Sequence, residues 1–332
     1  MKTFSCRCGN RLFFDNTQCL KCKGSVCFSL AKCQFVTFDD EALKSKKGKS
    51  HPCLNYGSGL CNWLADGQDG LCLACRLNVE TPVEGENSKL LGNMEMAKRR
   101  LLYSLDALHL PIMSQSEKPG GLGFALRRGT EEAPVITGHA DGLITLDLNE
   151  ADPAQRAAIR EKLGEDYRTV LGHFRHESGH YYWPLLFPSE KQKARCREVF
   201  GDERADYAQA LSRHYSSPSL DYENTHISSY ATSHPWEDWA ESWAHCLHIF
   251  DSWETAHAFG LLTSSKVPGP RERGRFSDLL DGWSELMIAL NSMNRSMGLD
   301  DAYPFSLAPA VREKLCFVAD AVHKNAPAIA FK

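Results

Sequence analysis

Apolar residues recur with two different periods along this 332-residue chain, and each period predicts a different kind of element. Recurrence every three or four positions predicts amphipathic helices, and alternation of apolar with polar residues predicts half-buried strands. The helical pattern marks residues 88–108, 152–163, 201–214, 278–297 and 308–323. The strand pattern marks the shorter stretches 123–127, 134–138 and 142–148. We therefore expect a mostly helical chain with a small β-sheet.

A further helical stretch contains the pattern H-E-x-x-H, formed by His176, Glu177 and His180. Histidines four residues apart project from one face of a helix, so both imidazoles can reach one metal ion. Glu177 follows the first histidine, where its carboxylate can take a proton from a metal-bound water. Pro184 is expected to end this helix. The pattern also arises by chance, so a third ligand downstream has to decide its meaning.

The candidate third ligand lies in a tryptophan-rich stretch that begins at Pro235, a residue type favoured in the first turn of a helix. Glu237 and Glu241 are four residues apart and share a face of this helix. We predict that Glu237 is the third ligand and that Glu241 accepts the N–H of a ligand histidine. Isolated glutamates more often form a solvated stripe, but a helix this apolar is rarely solvated. The same helix offers three alternative ligands: His245, His248 and Asp251.

Ten of the thirteen cysteines precede residue 76, and their spacing repeats after 53 residues. Without an evident secretion signal, such cysteines indicate metal binding rather than disulfides. Paired thiolates on short turns suit a tetrahedral structural zinc. The simplest assignment is two sites, Cys6/Cys8/Cys19/Cys22 and Cys53/Cys61/Cys72/Cys75. Cys27 and Cys33 are left over, either as buried thiols or as replacements for an assigned ligand.

The composition restricts the class of partner. Hydrophobic residues make up 42% of the chain, charged residues 24%, and the formal net charge is −4. This balance does not call for nucleic acid or an acidic membrane surface, and the basic run at 44–50 is short and follows acidic residues. No run approaches the roughly 18 apolar residues of a membrane span, and the first residues lack an apolar signal region. We expect a cytoplasmic protein that does not bind membranes or nucleic acid.

The change from cysteine-rich to helical sequence predicts the domain boundaries. Residues 80–87 combine proline, glycine and acidic side chains, which is typical of a linker. We predict a double zinc ribbon at 1–78, a linker at 79–87 and a catalytic domain at 88–332. A chain of this length can bury a sizeable core in two domains.

The segment from Tyr230 to Glu241 resembles the matching region of the anthrax lethal factor group of zinc metallopeptidases. In that group a Ser-Tyr pair precedes the ligand glutamate by seven residues and Ala-Glu follows it. The pairs Ser229-Tyr230 and Ala240-Glu241 have this placement around Glu237. The resemblance implies that Tyr230 donates its phenolic O–H to the oxyanion of the tetrahedral intermediate. A packed aromatic residue is the alternative for Tyr230.

Over nearly its whole length the chain also resembles a bacterial family of predicted zinc-binding metallopeptidases with an N-terminal zinc ribbon. The expected fold is α+β: a double zinc ribbon, then a mostly helical zincin-like metallopeptidase domain with a small β-sheet. The resemblance implies hydrolysis of peptide bonds with Glu177 as general base, one catalytic and two structural zinc ions, and a peptide or protein substrate. A protein partner could also bind the ribbons.

Two other functions fit the same sequence. A non-enzymatic adaptor would bind a protein or nucleic acid through its ribbons, with a purely structural metal in the second domain. Replacing Glu177 would leave such an adaptor working. A zinc hydrolase of a non-peptide amide would use the same residues as a peptidase, because substrate choice depends on the shape of the cleft.

Overall fold

The computed structural model describes residues 1–39, 51–82, 88–163, 165, 167–217, 219, 221–262 and 276–329. The fold is α+β, with two cysteine clusters and short hairpins followed by a largely helical chain. Two compact units are formed, Met1–Asp106 with Ile112–Gln155, and Ala107–Pro111 with Arg156–Lys332. The basic run at 44–50 and positions 83–87 of the predicted linker lie outside the described residues.

The cysteine-rich segment folds around two antiparallel hairpins and an aromatic core. Strand β1 (Phe4–Ser5) pairs with β2 (Arg11–Leu12), and β3 (Ser25–Ser29) pairs with β4 (Gln34–Phe38). A single-turn helix, α1 (Leu73–Arg76), follows. Such short elements bury little surface individually, and large aromatic side chains pack against one another in the core. The ring contacts join Phe4, Phe14, Phe28, Phe35, Trp63 and Tyr103.

A four-stranded sheet completes the first unit, in the order β5-β6-β8-β7. Its strands are β5 (Asn78–Glu80), β6 (Gly123–Arg127), β7 (Gly138–Ala140) and β8 (Leu143–Asp147). The strands predicted at 123–127 and 142–148 are confirmed, whereas the strand predicted at 134–138 is wrong. Strand β7 instead begins at Gly138, where its pairing with β8 begins. The two strands are joined by a two-residue turn at positions 141 and 142, which both have positive φ.

The helix predicted at 88–108 is confirmed as α2 (Ser88–Ala107), and it packs within the first unit. The Tyr103 ring contacts Phe14 and Phe28, with centroid separations of 5.4 and 6.2 Å. The Arg99 guanidinium donates to the Leu60 carbonyl at 2.6 Å. A helix that the sequence analysis assigned to the catalytic domain thus contributes to the core of the cysteine-rich unit. The domain boundary at 79–87 stays a prediction.

Seven described helices lie in the second unit, except that the first of them begins three residues before it. They are α3 (Pro153–Leu163), α4 (Val170–Leu186), α5 (Glu190–Phe200), α6 (Tyr207–Ser216), α7 (Pro235–Ala258), α8 (Phe276–Ser296) and α9 (Pro309–Ile329). The predicted helix at 201–214 begins six residues late, because Gly201 has a φ of +93° at the end of α5 and Asp206 caps α6. Among the described residues, no helix is long and apolar enough to cross a membrane.

Helices α4 and α7 pack closely, and the residues inside the H-E-x-x-H pattern make this possible. A Cβ on Gly179 would lie 3.0 Å from Trp243 and 3.1 Å from the Ala240 Cα, so only glycine fits without displacing α7. The Trp239 indole donates to the Gly179 carbonyl at 2.9 Å, and the Trp243 indole donates to Ser178 Oγ at 3.0 Å. These contacts fix the position of α7 against the helix of the two histidines.

Pro184 does not end the metal-binding helix, contrary to the sequence prediction. Helix α4 continues to Leu186, and Phe187 N donates to the Trp183 carbonyl at its end. A proline in the last turn removes only its own backbone hydrogen bond, so two more residues can follow in helical conformation.

Candidate metal centre

Helix α4 presents His176 and His180 on one face. Thr169 caps its start, with the side-chain oxygen accepting from Gly172 N at 2.9 Å, which sets the register of the following residues. The two imidazole rings lie 5.0 Å apart between centroids. Both side chains are largely shielded from solvent, so the face forms a recessed pair of nitrogen donors.

Glu237 enters this face from the first turn of α7. Its Oε2 lies 2.9 Å from His176 Nε2 and 3.5 Å from His180 Nε2. One ligand atom from each of the three residues lies within 4.8 Å of the others. Ligand atoms at 2.0–2.1 Å from a tetrahedral ion are separated by roughly 3.3 Å, and the two measured contacts bracket that value. The donor set of two imidazoles and one carboxylate therefore fits zinc.

Glu241 holds His176 from the other side. Its Oε1 lies 2.7 Å from His176 Nδ1, which leaves Nε2 facing Glu237. Ser228 Oγ donates to Glu241 Oε2 at 2.7 Å and accepts from Ala231 N at 3.1 Å. Burial disfavours the charged carboxylate, but the His176 contact outweighs it and lowers the pKa of Glu241 to about 2. A charged acceptor of this kind fixes the tautomer and orientation of the imidazole.

Glu177 lies beside the three converging side chains and is 7% exposed. Burial raises the pKa of its carboxyl group, while the imidazoles of His176 and His180 oppose that shift. A carboxyl group whose pKa is raised toward neutrality can both accept and return a proton.

Tyr230 borders the same cluster. It begins a short 3-10 turn, Tyr230–Thr232, and its ring centroid lies 5.9 Å from that of His176. Burial and the charge of Glu237 raise the pKa of the phenol, so its O–H stays protonated. The structure thus places Tyr230 beside His176, and its role as a donor to the oxyanion stays a prediction.

The three alternative third ligands have other partners. His245 Nδ1 lies 2.7 Å from the Tyr303 hydroxyl. Arg175 pairs with Asp251 at 2.5 Å and contacts His248 Nδ1 at 3.2 Å. Within the described part of the chain, the group of possible metal ligands at this position comprises His176, His180 and Glu237.

The assigned cysteines form two separate clusters. Contacts between Sγ atoms measure 3.6 Å for Cys6–Cys22, 3.7 Å for Cys8–Cys19 and 3.5 Å for Cys61–Cys72. Thiolates about 2.3 Å from a tetrahedral zinc lie roughly 3.8 Å apart, so both clusters fit this ion. Their members are Cys6, Cys8, Cys19 and Cys22, and Cys53, Cys61, Cys72 and Cys75.

The second cluster is fully buried and has a buried cation beside it. The Lys98 side chain is 0% exposed and pairs with Glu95 at 2.8 Å. Cys53 and burial act to raise the pKa of the Cys75 thiol, but Cys61, Cys72 and the charge of Lys98 lower it to about 7. Cys27 and Cys33 lie outside both clusters, and burial raises the pKa of Cys27 to about 12, as expected for an inert thiol.

Sequence reasoning missed three residues that support the site, namely Tyr207, Ser228 and Lys314. Tyr207 donates to Glu237 Oε1 at 2.8 Å, although 30 positions separate the two residues. Ser228 holds Glu241, and Lys314 reaches Asp238 and the Thr225 carbonyl. None of these contacts has a helical or strand spacing, so no periodic pattern could have indicated them.

The pair between Lys314 on α9 and Asp238 on α7 provides a test of how the site is held. Lys314 Nζ lies 2.7 Å from Asp238 Oδ2, and it donates to the Thr225 carbonyl at 2.7 Å. Asp238 is 1% exposed, so Lys314→Met leaves a buried carboxylate without its cation. We expect the free energy of unfolding to fall by about 3–5 kcal/mol, measured by denaturant titration.

Lys324→Met is the matched control on the same helix. Lys324 pairs with Asp320, and both side chains are 63% exposed. An exposed pair contributes about 0–1 kcal/mol, so this variant should unfold almost as the wild type does. Equal losses in the two variants would contradict the role assigned to the buried pair.

The fold and the donor clusters together define a protein with cysteine-rich metal sites followed by a helical metal-binding domain. The sequence profile of a family described as "Putative zinc-binding metallo-peptidase" matches residues 87–321. A zinc-ribbon domain profile matches residues 3–85. The chain belongs to this metallopeptidase family and carries an N-terminal zinc ribbon.

Similar proteins occur in mycobacteria. One uncharacterized protein of Mycobacterium bovis and two of Mycobacterium tuberculosis are each 42% identical to the chain over 337 aligned positions. Each alignment covers 98% of this chain and 97% of the relative. A search of solved structures found no significant match.

Proposed function

We propose that the protein is a zinc-dependent peptidase that hydrolyses peptide bonds, with Glu177 as general base. The observation that carries the proposal is the convergence of His176, His180 and Glu237 beside the buried carboxyl group of Glu177. A closed structural site would take a fourth protein ligand. Among the residues that the structure describes, this site has three donors and an adjacent base, which is the donor set of a catalytic zinc. Membership of the metallopeptidase family supports the same conclusion.

The residues of the site divide the chemistry of amide hydrolysis among them. When bound, zinc acts as a Lewis acid and lowers the pKa of water. Glu177 accepts a proton from the water that attacks the scissile carbonyl carbon. It then gives this proton to the leaving amine nitrogen as the C–N bond breaks. Tyr230 donates its phenolic O–H to the developing oxyanion, and Glu241 keeps the His176 imidazole in the required tautomer.

The two cysteine clusters are proposed to hold one structural zinc each. Their four-thiolate donor sets leave no position for substrate, and binding energy in such sites is folding energy. Together with the site on α4 and α7, this gives one catalytic and two structural ions.

Metal removal tests the proposal directly. Mass spectrometry would follow cleavage of a peptide library, before and after treatment of the protein with dipicolinate. We expect cleavage to stop when zinc leaves the site of His176, His180 and Glu237, and to return when one equivalent of zinc is added. Cleavage that persists in protein shown to lack this zinc would contradict a zinc-dependent mechanism.

A further inference from the structure

Tyr207 is a second phenol at the candidate metal centre. It is the first residue of α6, and its hydroxyl donates to Glu237 Oε1 at 2.8 Å. The other oxygen of the same carboxylate, Oε2, faces the imidazoles of His176 and His180. The two oxygens of Glu237 thus have different partners. One faces the position where a metal would bind, and the other is occupied by a phenolic O–H.

The position of Tyr207 is fixed by the same residue that starts α7. The His234 side chain caps α7 by accepting from Trp236 N at 3.0 Å. Since Nδ1 accepts this bond, Nε2 carries the proton and donates to the Ala205 carbonyl at 3.0 Å. The His234 ring also packs edge-on against Tyr207, with centroids 5.2 Å apart. The His234 side chain, which is 3% exposed, therefore links the start of α6 to α7, the helix that carries Glu237.

A carboxylate ligand can bind a metal through one oxygen or through both. Binding through both oxygens would use a coordination position that water or the substrate carbonyl needs, since a catalytic zinc keeps an open position. A hydrogen bond to Oε1 competes with the second metal–oxygen contact, because it draws on the same lone pairs. Groups that bond to ligands in this way commonly orient them and tune the metal.

We propose that Tyr207 is a positioning residue that restricts Glu237 to coordination through Oε2 alone and thereby keeps a position at the metal open. The inference rests on the proposed zinc site. It makes Tyr207 a residue that sets how many ligand atoms surround the metal. Tyr207 acts on the metal through Glu237, so its removal changes how Glu237 would bind the ion.

The test compares Tyr207→Phe with Tyr215→Phe in the full-length protein. Both tyrosines lie on α6, but Tyr215 packs edge-on against His214 and is 63% exposed. The site on α4 and α7 would be stripped with dipicolinate and reloaded with cobalt. Subtracting the spectrum of His176→Ala protein prepared in the same way removes any contribution from the cysteine clusters. Zinc affinity would be measured by competition with a chromogenic chelator.

For Tyr207→Phe we expect the visible cobalt bands to weaken, because five- or six-coordinate cobalt absorbs less than four-coordinate cobalt. We also expect zinc affinity to fall by about 10–100-fold, the usual effect of losing a group that orients a ligand. Tyr215→Phe should match the wild type in both measurements. Circular dichroism would verify that both variants fold.

An unchanged cobalt spectrum and zinc affinity in Tyr207→Phe would overturn the inference and leave the zinc peptidase proposal standing. Failure of the proposed function gives a different result. The wild type and His176→Ala would then bind the same number of zinc ions, and there would be no cobalt difference spectrum.

Discussion

Replacing Glu177 by glutamine is expected to stop peptide hydrolysis while every zinc ion remains bound. The substitution keeps the size of the side chain and removes its ability to take a proton from water. Glu177 is 7% exposed, so solvent has little access to replace it as a base. General base catalysis contributes about 10²–10⁴-fold, and we expect kcat to fall by that factor.

The measurement pairs peptide cleavage with zinc content on the same preparations. Glu285→Gln serves as the control, because this glutamate lies on α8 with an exposed side chain and the change of chemistry is identical. It should retain both activity and zinc. Full activity in Glu177→Gln with all its zinc would refute the mechanism and favour the adaptor function, in which Glu177 has no chemical task.

The second large effect is expected in the number of zinc ions per chain. The wild type should contain three, and His176→Ala should contain two, since His176 contributes one of the three donors on α4 and α7. Cys72→Ser should also contain two, having lost the ion of the second cysteine cluster. Zinc sites of this type contribute apparent energies of roughly 10–16 kcal/mol in small peptides, so Cys72→Ser should also unfold the first unit far more easily.

Cys27→Ser is the matched control for the cysteine variant. Cys27 is as buried as Cys72 but lies outside both clusters, so we expect three zinc ions in this protein. Atomic absorption on protein purified without added metal measures the count. Two ions in the wild type, unchanged by His176→Ala, would mean that α4 and α7 hold no metal. The three converging side chains would then be only a hydrogen-bonded scaffold.

The sequence by itself determined the local features of this protein. Histidines four apart share a face of any helix, so His176 and His180 could be paired before the fold was known. Likewise, the repeated spacing of the cysteines separated two clusters, and both clusters are found in the fold. Helix α2 could be located because its apolar period is set by helix geometry alone.

Tertiary structure decided everything that depends on contacts between distant segments. Tyr207 lies 30 positions from Glu237, Ser228 lies 13 positions from Glu241, and Lys314 lies 76 positions from Asp238. No helical or strand period relates residues at these separations. The packing of α2 on the cysteine-rich core was equally hidden, because an amphipathic face shows that a helix is covered but not by which partner. Short patterns of residues predict local geometry because it depends on neighbours in the sequence. The side chains that support a site come from distant segments, so only the folded chain shows which they are.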